Sequence, residues 1–490
     1  MTRGRAGLTP LAAALLALAL TAGCTASVEG AGTASGSRAP GGGASSSSPV
    51  PSAAPSASAQ PANGCGTYAA PDPDRPVLDL RYTVAADHSS VQGTETVTFR
   101  PDAPVDELVF RLTPNTAPSV EEGNRLEVTA ATADHGAGTP TFERAGASAD
   151  TQGGLLRIPF AATVAAGTAV TARITFTTTL GQGSFDRFGR QDGFAWWASG
   201  HPLLAWERGY GWHDEPMLEF TAESATSEAM ATTLTVVAPA ADVVVMSGNP
   251  TTPTGSGATR TWTGSLEAAR DVSVAVGPFE VTDSTVDAGR SVALRVGAPT
   301  GSAAAQSAPE FERALTELAA RFGPFPFPSL AVALLPASGG GIEYPGAILM
   351  LDDSRLVSVH ETAHQWFYAM VGNSQARHAW LDEAFASYGE QLVDDDAPPA
   401  GILQRDHQPV DRTMADWGDD EAGYYSTTYD KGSAALFAAR DAAGAAAFDA
   451  AIQCYVARNA WTVADPADLQ AALAGLPAAV GVLQQAGALR

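Results

Sequence analysis

The pattern of apolar and polar positions divides the chain beyond residue 66 into two regions. From 67 to 297, short segments rich in Val, Thr, Phe and Leu alternate with clusters of Gly, Pro and Asp, which is the spacing of strands and turns. The predicted strands are 77–84, 95–99, 107–112, 170–177, 232–237 and 272–276. The pattern therefore predicts an N-terminal domain built as an antiparallel β sandwich or a saddle-shaped sheet.

Helical periodicity replaces this pattern near residue 300. Apolar side chains recur on one helical face at Phe311, Leu315, Leu318 and Phe322. The Gly-Pro pair at 323–324 ends this predicted helix. Beyond it, the pattern predicts a strand at 330–335 and helices at 434–439, 446–458 and 467–473. The region 298–490 is therefore predicted to be α-rich, and the fold class of the chain is α+β with several domains.

The first 66 residues predict targeting rather than a fold. Arg3 and Arg5 precede an apolar run at 11–20 that is too short to span a bilayer permanently. Small residues then lead to Cys24, so the segment resembles a bacterial lipoprotein signal whose cysteine is lipidated. We expect a signal peptide at 1–23. The alternative is an ordinary signal peptide with an incidental cysteine.

Residues 24–66 are expected to be a disordered linker that carries the lipid anchor. The segment is mostly Ala, Gly, Ser, Pro and Thr and contains no aromatic residue. Such a sequence cannot bury enough apolar surface to offset the entropy of ordering. Together with the lipidation site at Cys24, it predicts a protein held at the extracytoplasmic face of the cell membrane.

Charge and cysteine content exclude further classes of protein. The chain has 28 Lys and Arg against 53 Asp and Glu, a formal net charge of −25. Such a surface repels phosphate backbones, so nucleic acid is excluded as a partner. Three cysteines are too few for a disulfide framework. Cys65 and Cys454 either form one bridge in an oxidising compartment or stay two separate thiols.

The chemistry is concentrated in an HExxH sequence at 360–364. On a helix, residues four apart share a face, so His360 and His364 can bind one metal ion. Glu361 lies one position on, where its carboxylate can flank water at the metal without being a ligand. Eighteen residues after His364 comes Glu383, whose carboxylate a second helix would bring back as a third ligand. Two His, one Glu and an open position are typical of catalytic zinc.

Three motifs in this order resemble those of the aminopeptidase N-type gluzincin family, which includes leukotriene-hydrolase-like enzymes. His364 begins the segment HQWFYAMVGN, and Glu383 lies within WLDEAFASY. GGGIEYPG at 339–346 is similar to the family's GAMEN exopeptidase motif in a shorter GGxEYPG form, and YDKG at 429–432 is similar to its YEKG motif. In the first region, WERGYGWHDEP at 206–216 is similar to the family's N-terminal saddle domain. The resemblance implies that this β domain precedes a thermolysin-like, α-rich zinc-peptidase domain.

The resemblance also implies a role for each matching residue. One zinc ion would be held by His360, His364 and Glu383. Glu361 would be the general base, and Tyr429 would stabilise the oxyanion of the tetrahedral intermediate.

Substrate recognition follows from the second motif. Glu343 would pair with the free α-ammonium group of a peptide, which makes the enzyme an aminopeptidase. Gly340 and Gly341 would let the substrate backbone approach closely. Peptides are the expected substrates, and no partner protein is inferred.

Departures from the family pattern keep two alternatives open. Tyr344 stands where larger members have Asn, and Asp382 stands where WLNEGFA would have Asn. The chain also stops about a hundred residues after Glu383, without the long C-terminal helical domain of large members. A more open cleft would make the protein a zinc endopeptidase. The alternative of a different class is a catalytically silent surface binding protein.

Other polar residues support weaker hypotheses. His213, Asp214 and Glu215 form either a second metal site or a structural turn. Lys431, the single lysine of the chain, is expected to be an exposed charge.

Overall fold

The computed structural model describes residues 65–490 except 137, 184–186, 218–224, 249, 251, 302–303, 338, 352–353, 400 and 406. The predicted signal peptide, the predicted lipidation site at Cys24 and nearly all of the predicted linker lie outside the described residues. Across the residues that are described, no helix combines the length and the apolar character needed to cross a bilayer.

Strands fill most of the chain up to residue 299. They are β1 Val77–Val84, β2 Ser90–Phe99, β3 Val105–Arg111, β4 Arg125–Ala133, β5 Thr141–Glu143, β6 Leu155–Val164, β7 Val170–Thr179, β8 Phe188–Gln191, β9 Phe194–Ala198, β10 Leu203–Leu204, β11 Trp206–Glu207, β12 Gly211–Trp212, β13 Met230–Pro239, β14 Val243–Met246, β15 Thr259–Ala269, β16 Ser273–Gly277, β17 Phe279–Asp287 and β18 Ser291–Pro299. Each predicted strand overlaps one of these, and most are longer than predicted.

The second region carries the remaining strands and most of the helices. The strands are β19 Ser329–Leu334, β20 Gly341–Tyr344, β21 Ala347–Met350, β22 Gly372–Asn373 and β23 Val463–Ala464. The helices, starting with one in the first region, are α1 Ala117–Glu121, α2 Ala304–Phe322, α3 Arg355–Ala363, α4 Gln375–His378, α5 Trp380–Asp394, α6 Ile402–Arg405, α7 Met414–Trp417, α8 Glu421–Tyr424, α9 Gly432–Ala443, α10 Ala445–Arg458, α11 Pro466–Ala472 and α12 Pro477–Gln485. A 3₁₀ turn spans Thr113–Asn115, and a π-helical segment spans Tyr425–Lys431.

Alternation of apolar and polar residues places the strands of the first region. Along β1, Leu78, Leu80, Tyr82 and Val84 are buried, and the residues between them are exposed. One sheet has the strand order β15-β13-β1-β2-β7-β4, and others have the orders β10-β3-β6-β5 and β14-β16-β9-β8. Their inner faces share one apolar core. The fold class predicted from the sequence is confirmed.

Among the described strands of the first region, β1 and β13 depart from the predicted antiparallel pairing. β1 pairs with β2 in the antiparallel sense, with Leu80 opposite Glu95, but it pairs with β13 in the parallel sense, with Leu80 opposite Leu234. Parallel neighbours require a long connection between the strands. Here that connection is the whole stretch from β2 to β12, so no local sequence signal announces it.

The sheet of the second region begins before the expected domain boundary. β17, β18, β19, β21 and β20 lie side by side in that order. β18, β19 and β21 are parallel, whereas β17 and β20 run antiparallel to their neighbours at the two edges. The boundary expected at residue 298 therefore falls within β18. Strand propensity does not indicate which sheet a strand joins, so the sequence pattern is the same on both sides of this boundary.

Helices α2, α3 and α5 pack together beneath this sheet. The predicted apolar face of α2 is buried, with Phe311, Leu315 and Leu318 fully inaccessible. A Cβ atom at Gly389 of α5 would lie 3.0 Å from the Cβ of Ala363 in α3. Glycine at this position lets α3 and α5 approach each other, and these helices carry the HExxH sequence and Glu383.

A disulfide joins the start of the described chain to helix α10. Cys65 and Cys454 are bonded, and their Cα atoms are 5.2 Å apart. Next to the bridge, the amide of Ala69 donates to the carbonyl of Ala457, and the Tyr68 hydroxyl donates to the carbonyl of Pro324. The segment before β1 is thus fastened to the helical region.

We predict that replacing both cysteines with alanine lowers the free energy of unfolding by about 2–5 kcal/mol, because the bridge closes a long loop in the unfolded chain. Equilibrium denaturation of the variant and of the wild type, with and without reductant, measures this change. The reductant should destabilise the wild type and leave the variant unaffected. A wild type that is indifferent to complete reduction would contradict the prediction.

Candidate zinc centre

The ligands predicted from the sequence converge between α3 and α5. His360 lies on the last turn of α3, and His364 follows its end. The Nε2 atoms of His360 and His364 lie 3.3 Å and 3.4 Å from Oε2 of Glu383. These three atoms form a group that could hold one metal ion. The site is nearly closed, since the side chains of His364 and Glu383 are 1% and 5% exposed.

The other nitrogen of each imidazole contacts a carboxylate. Nδ1 of His364 lies 2.6 Å from Oδ1 of Asp382, and Nδ1 of His360 lies 3.3 Å from Oε2 of Glu390. Asp382 is in turn held by the side-chain amide of Gln375, which donates to Oδ2 at 3.2 Å. Carboxylates behind imidazoles fix the tautomer that leaves Nε2 free for a metal, and they make that nitrogen a stronger ligand.

Buried carboxylates dominate the electrostatics of the site. Burial raises the pKa of Glu343 to about 8 and that of Glu361 to about 7, and it also raises the pKa of Asp382. Burial opposes the ionisation of Glu383 as well, but the imidazoles of His364 and His360 hold its pKa well below its usual range. So many acids away from water require positive charge nearby.

The donor set fits a zinc ion. Two imidazole nitrogens and one carboxylate oxygen are the ligands of catalytic zinc sites that keep one position open. Oε1 of Glu343 and Oε2 of Glu361 are buried and have no hydrogen-bond partner among the described residues. Buried acceptors without partners are rare unless an ion, a water molecule or a ligand completes them.

Glu361 lies against the strand that carries the second motif. A Cβ atom on Gly341 would be 2.4 Å from Cγ of Glu361, so a larger residue at this position of β20 would force the Glu361 side chain to move. The expected role of Gly341, close approach of substrate, is therefore joined by a second constraint from within the protein. At Gly340, by contrast, a Cβ atom would meet nothing within 4 Å.

Glu343 lies on the edge strand β20 and is 5% exposed. One of its carboxylate oxygens falls within the same group as ligand atoms of His364 and Asp382. The structure thus brings Glu343 and the predicted zinc ligands into one cluster.

Tyr429 covers the site from the π-helical segment. Its ring stacks on the ring of His360, with centroids 5.8 Å apart and planes inclined by 7°. Its neighbours differ in exposure, because Tyr424 is fully buried and Tyr425 is 40% exposed. Single π-helical turns occur often at functional sites, where they change which side chains face inward.

Other polar residues outside the metal group lie in structural contacts. Nε2 of His213 is 2.7 Å from Glu207, and its Nδ1 faces Glu215 at 3.3 Å, which supports the structural turn over a second metal site. His378 pairs with Asp411 at 2.7 Å. The expectation for Lys431 was wrong: it is 4% exposed, and its ammonium donates to the carbonyl of Gln408.

Sequence reasoning missed the residues that support the ligands. Glu390 lies seven positions after Glu383, two helical turns on the same face, and this spacing was a usable signal. Asp382 was noticed only as a departure beside a ligand. Gln365 had no signal, yet its side-chain amide donates to the carbonyl of Tyr344 and accepts from the amide of Gly346.

We predict that Asp382→Asn lowers zinc affinity about 10- to 100-fold while the fold persists, because the His364 imidazole loses its charged partner. Competition with a chromophoric chelator measures the affinity. Asp396→Asn is the matched control, since Asp396 is exposed beyond the end of the same helix. Equal affinities in the two variants would show that Asp382 does not support the ligand.

Comparison with known sequences finds similarity in the region that holds this site. Residues 347–484 match the model of the peptidase family M1 domain. Aminopeptidase M1-B of Oryza sativa subsp. japonica is 26% identical over 184 residues, which cover 31% of this chain and 21% of the relative. Aminopeptidase M1 of Arabidopsis thaliana is 24% identical over 184 residues with the same coverage. The chain thus spans about a fifth of the length of the curated relatives that it matches.

Solved structures extend the likeness over most of the chain. The M1 zinc metallopeptidase from Deinococcus radiodurans superposes with a TM-score of 0.63 at 21% identity and covers 84% of this chain and 93% of its own. A mutant of that enzyme bound to a Tyr-Ser-Ala substrate gives a TM-score of 0.64 at 21% identity, with 85% and 94% covered. At this identity the likeness concerns the fold, a β region followed by a helical peptidase region. The similarity to the M1 peptidase family is therefore carried in sequence by residues 347–484, and the fold of most of the chain resembles that of solved M1 structures.

Proposed function

We propose that this protein is a zinc-dependent aminopeptidase that releases N-terminal residues from peptides. The observation that carries the proposal is the meeting of two imidazole Nε2 atoms and one carboxylate oxygen in one group, where His364 and Glu383 are buried and His360 is partly exposed. Two further buried carboxylates, Glu361 and Glu343, flank this group and have oxygens without partners. A fold kept only for binding does not need such a costly assembly of charge.

Hydrolysis requires a proton acceptor and a group that stabilises negative charge. Zinc, when bound, supplies a Lewis acid that polarises the scissile carbonyl and acidifies water. Glu361 accepts the proton of the attacking water and delivers it to the leaving amine. Tyr429 donates its hydroxyl proton in a hydrogen bond to the oxygen that becomes negative in the tetrahedral intermediate.

Restriction to the N-terminal residue comes from Glu343. Its buried carboxylate offers a partner for an α-ammonium group, which would be strongly attracted in an environment that excludes water. β20, which carries Glu343, is an edge strand, and the edge of a sheet is where an extended peptide can add by backbone pairing. The scissile bond would then lie one residue from the bound amine.

The relatives support peptides as the substrate class. The curated proteins that match the catalytic region are named aminopeptidases, and the similar Deinococcus radiodurans mutant structure contains a Tyr-Ser-Ala substrate. An endopeptidase would use the same zinc chemistry but would not need the ammonium partner. Blocked and free peptides therefore separate the two activities.

We predict that the purified protein, supplied with zinc, cleaves peptides with free N-termini one residue at a time. It should cleave the acetylated counterparts at a rate at least about a hundredfold lower, since acetylation removes the charge that Glu343 pairs with. Mass spectrometry of paired peptide panels measures both rates. Glu361→Gln is the control for contaminating peptidases, because it should retain zinc and lose hydrolysis of both panels.

Each contrary outcome has a defined meaning. Equal cleavage of free and acetylated panels would replace the aminopeptidase by an endopeptidase. No cleavage of either panel by a zinc-loaded protein would favour a silent binding protein.

We further propose that the protein is anchored by lipid at Cys24 on the extracytoplasmic face of the cell membrane. The sequence around Cys24 carries this proposal, and the disulfide between Cys65 and Cys454 supports export, because such bonds persist in oxidising compartments.

We predict that Cys24→Ser moves the protein from the membrane fraction to the soluble fraction and abolishes incorporation of labelled palmitate, because the thiol is the attachment point of the lipid. Cell fractionation and metabolic labelling measure the two effects. Cys454→Ser, expected to leave labelling intact, controls for the loss of a cysteine as such. A Cys24→Ser protein that stays in the membrane fraction would exclude this anchor.

A further inference from the structure

Tyr344, the residue after Glu343, holds strand β20 from the face opposite to Glu343. Successive side chains of a strand point to opposite faces, so Glu343 and Tyr344 of β20 diverge. Glu343 belongs to the buried group with His364 and Asp382. Tyr344 is 2% exposed and packs in an apolar cluster with Trp196 and other residues of the N-terminal β region. Any contact that fixes Tyr344 therefore fixes the backbone beneath Glu343.

The Tyr344 hydroxyl ends in a defined chain of hydrogen bonds. It lies 3.0 Å from Oγ of Ser199, and Ser199 donates to Oδ2 of Asp271 at 2.5 Å. A serine hydroxyl can donate one hydrogen bond, and Ser199 donates it to Asp271. The oxygen of Ser199 therefore accepts a hydrogen bond from the Tyr344 hydroxyl. The main-chain amide of Val272 also donates to Asp271, at 2.7 Å. All the side chains in this chain are buried, which makes their partners hard to exchange for water.

A buried histidine lies beside Asp271. His201 lies between Glu95 and Asp271, with nitrogen-to-oxygen distances of 3.1 Å and 3.4 Å. Burial lowers the pKa of His201, but the two carboxylates more than compensate and raise it to about 10. This direction favours the protonated imidazole, which lies beside both carboxylates.

Ser199 has an unusual backbone conformation. Its φ angle is 50°, in the left-handed region that residues other than glycine seldom adopt. Such conformations persist where surrounding contacts enforce them, and they concentrate at functional positions. Here the conformation presents a side-chain oxygen to Tyr344, which glycine could not supply.

The other attachment of the same segment is independent of the tyrosine ring. Gln365, directly after His364, donates to the carbonyl of Tyr344 at 3.1 Å and accepts from the amide of Gly346 at 2.9 Å. This main-chain clamp ties β20 to the zinc helix. The hydroxyl of Tyr344 ties it to the β region, so the two attachments can be tested separately.

We propose that Tyr344 is a positioning residue for Glu343, and that Ser199 and Asp271 of the β region fix, through the Tyr344 hydroxyl, the carboxylate that binds the substrate's α-ammonium group. This inference rests on the proposed aminopeptidase function. It assigns the β region a part in substrate recognition without any contact to substrate.

The test removes the hydrogen bond from each end. In the full-length protein, Tyr344→Phe removes only the hydroxyl, and Ser199→Gly removes Oγ while relieving the left-handed backbone. With free-amine aminoacyl amide substrates, both variants should raise KM about tenfold and leave kcat within about twofold, as expected when binding of the ammonium group alone is weakened. The double variant should raise KM no further, because both changes remove the same bond.

Controls separate positioning from general damage. Tyr388→Phe removes the hydroxyl of another buried tyrosine, one without a hydrogen-bond partner among the described residues, and should leave KM unchanged. Zinc content should be equal in all variants.

The outcomes distinguish this inference from the function on which it rests. If the wild type is an aminopeptidase and both variants keep its KM, the positioning role is overturned and the function stands. A fall in kcat with loss of zinc would overturn it as well, since the hydroxyl would then support the metal site. If the wild type cleaves acetylated and free substrates equally, the proposed function itself fails.

Discussion

The removal of charge from water is the constraint on which the rest of this structure depends. Four carboxylates and two imidazoles meet in a space that solvent barely enters. An ion moved from water into a protein interior loses several kcal/mol of solvation unless opposite charge replaces it. The arrangement is therefore stable only if these groups are held at fixed distances from one another and from a cation. Close packing of α3 on α5, made possible by Gly389 against Ala363, fixes those distances.

A second consequence of this constraint is that both motifs must be held on rigid elements. The ligands lie on or directly after helices, and Glu343 lies on a strand that ends a sheet. Gly341 lets the strand approach Glu361, and Gln365 bonds the strand to the metal helix through its backbone. The base, the amine partner and the ligands are thus linked by short contacts and not by loops.

Much of this arrangement could be predicted from the sequence, because local patterns determine it. The helical spacing of His360 and His364 and the distance to Glu383 in the chain were sufficient to propose one site. The supporting residues were harder to find. Ser199 contacts Tyr344 across a sequence separation of 145 residues and Asp271 across one of 72, and no periodicity connects them.

Burial of charge was also difficult to predict from composition. Lys431 is a long, charged side chain that normally remains in water, yet it is buried against a backbone carbonyl. The parallel pairing of β1 with β13 likewise depends on a partner that is distant in the sequence. In both cases a partner distant in sequence decides the outcome, and local preference is overridden.

The disulfide determines how force would travel through this molecule. The covalent path from residue 65 leads both to β1 and, across the bridge, directly to Cys454 on α10. Tyr68 adds hydrogen bonds with Pro324 and Trp366 at the same place. A pull applied at the start of the described chain would therefore be borne by the helical region, and the first β strand, which begins twelve residues later, would be shielded from being peeled off its sheet.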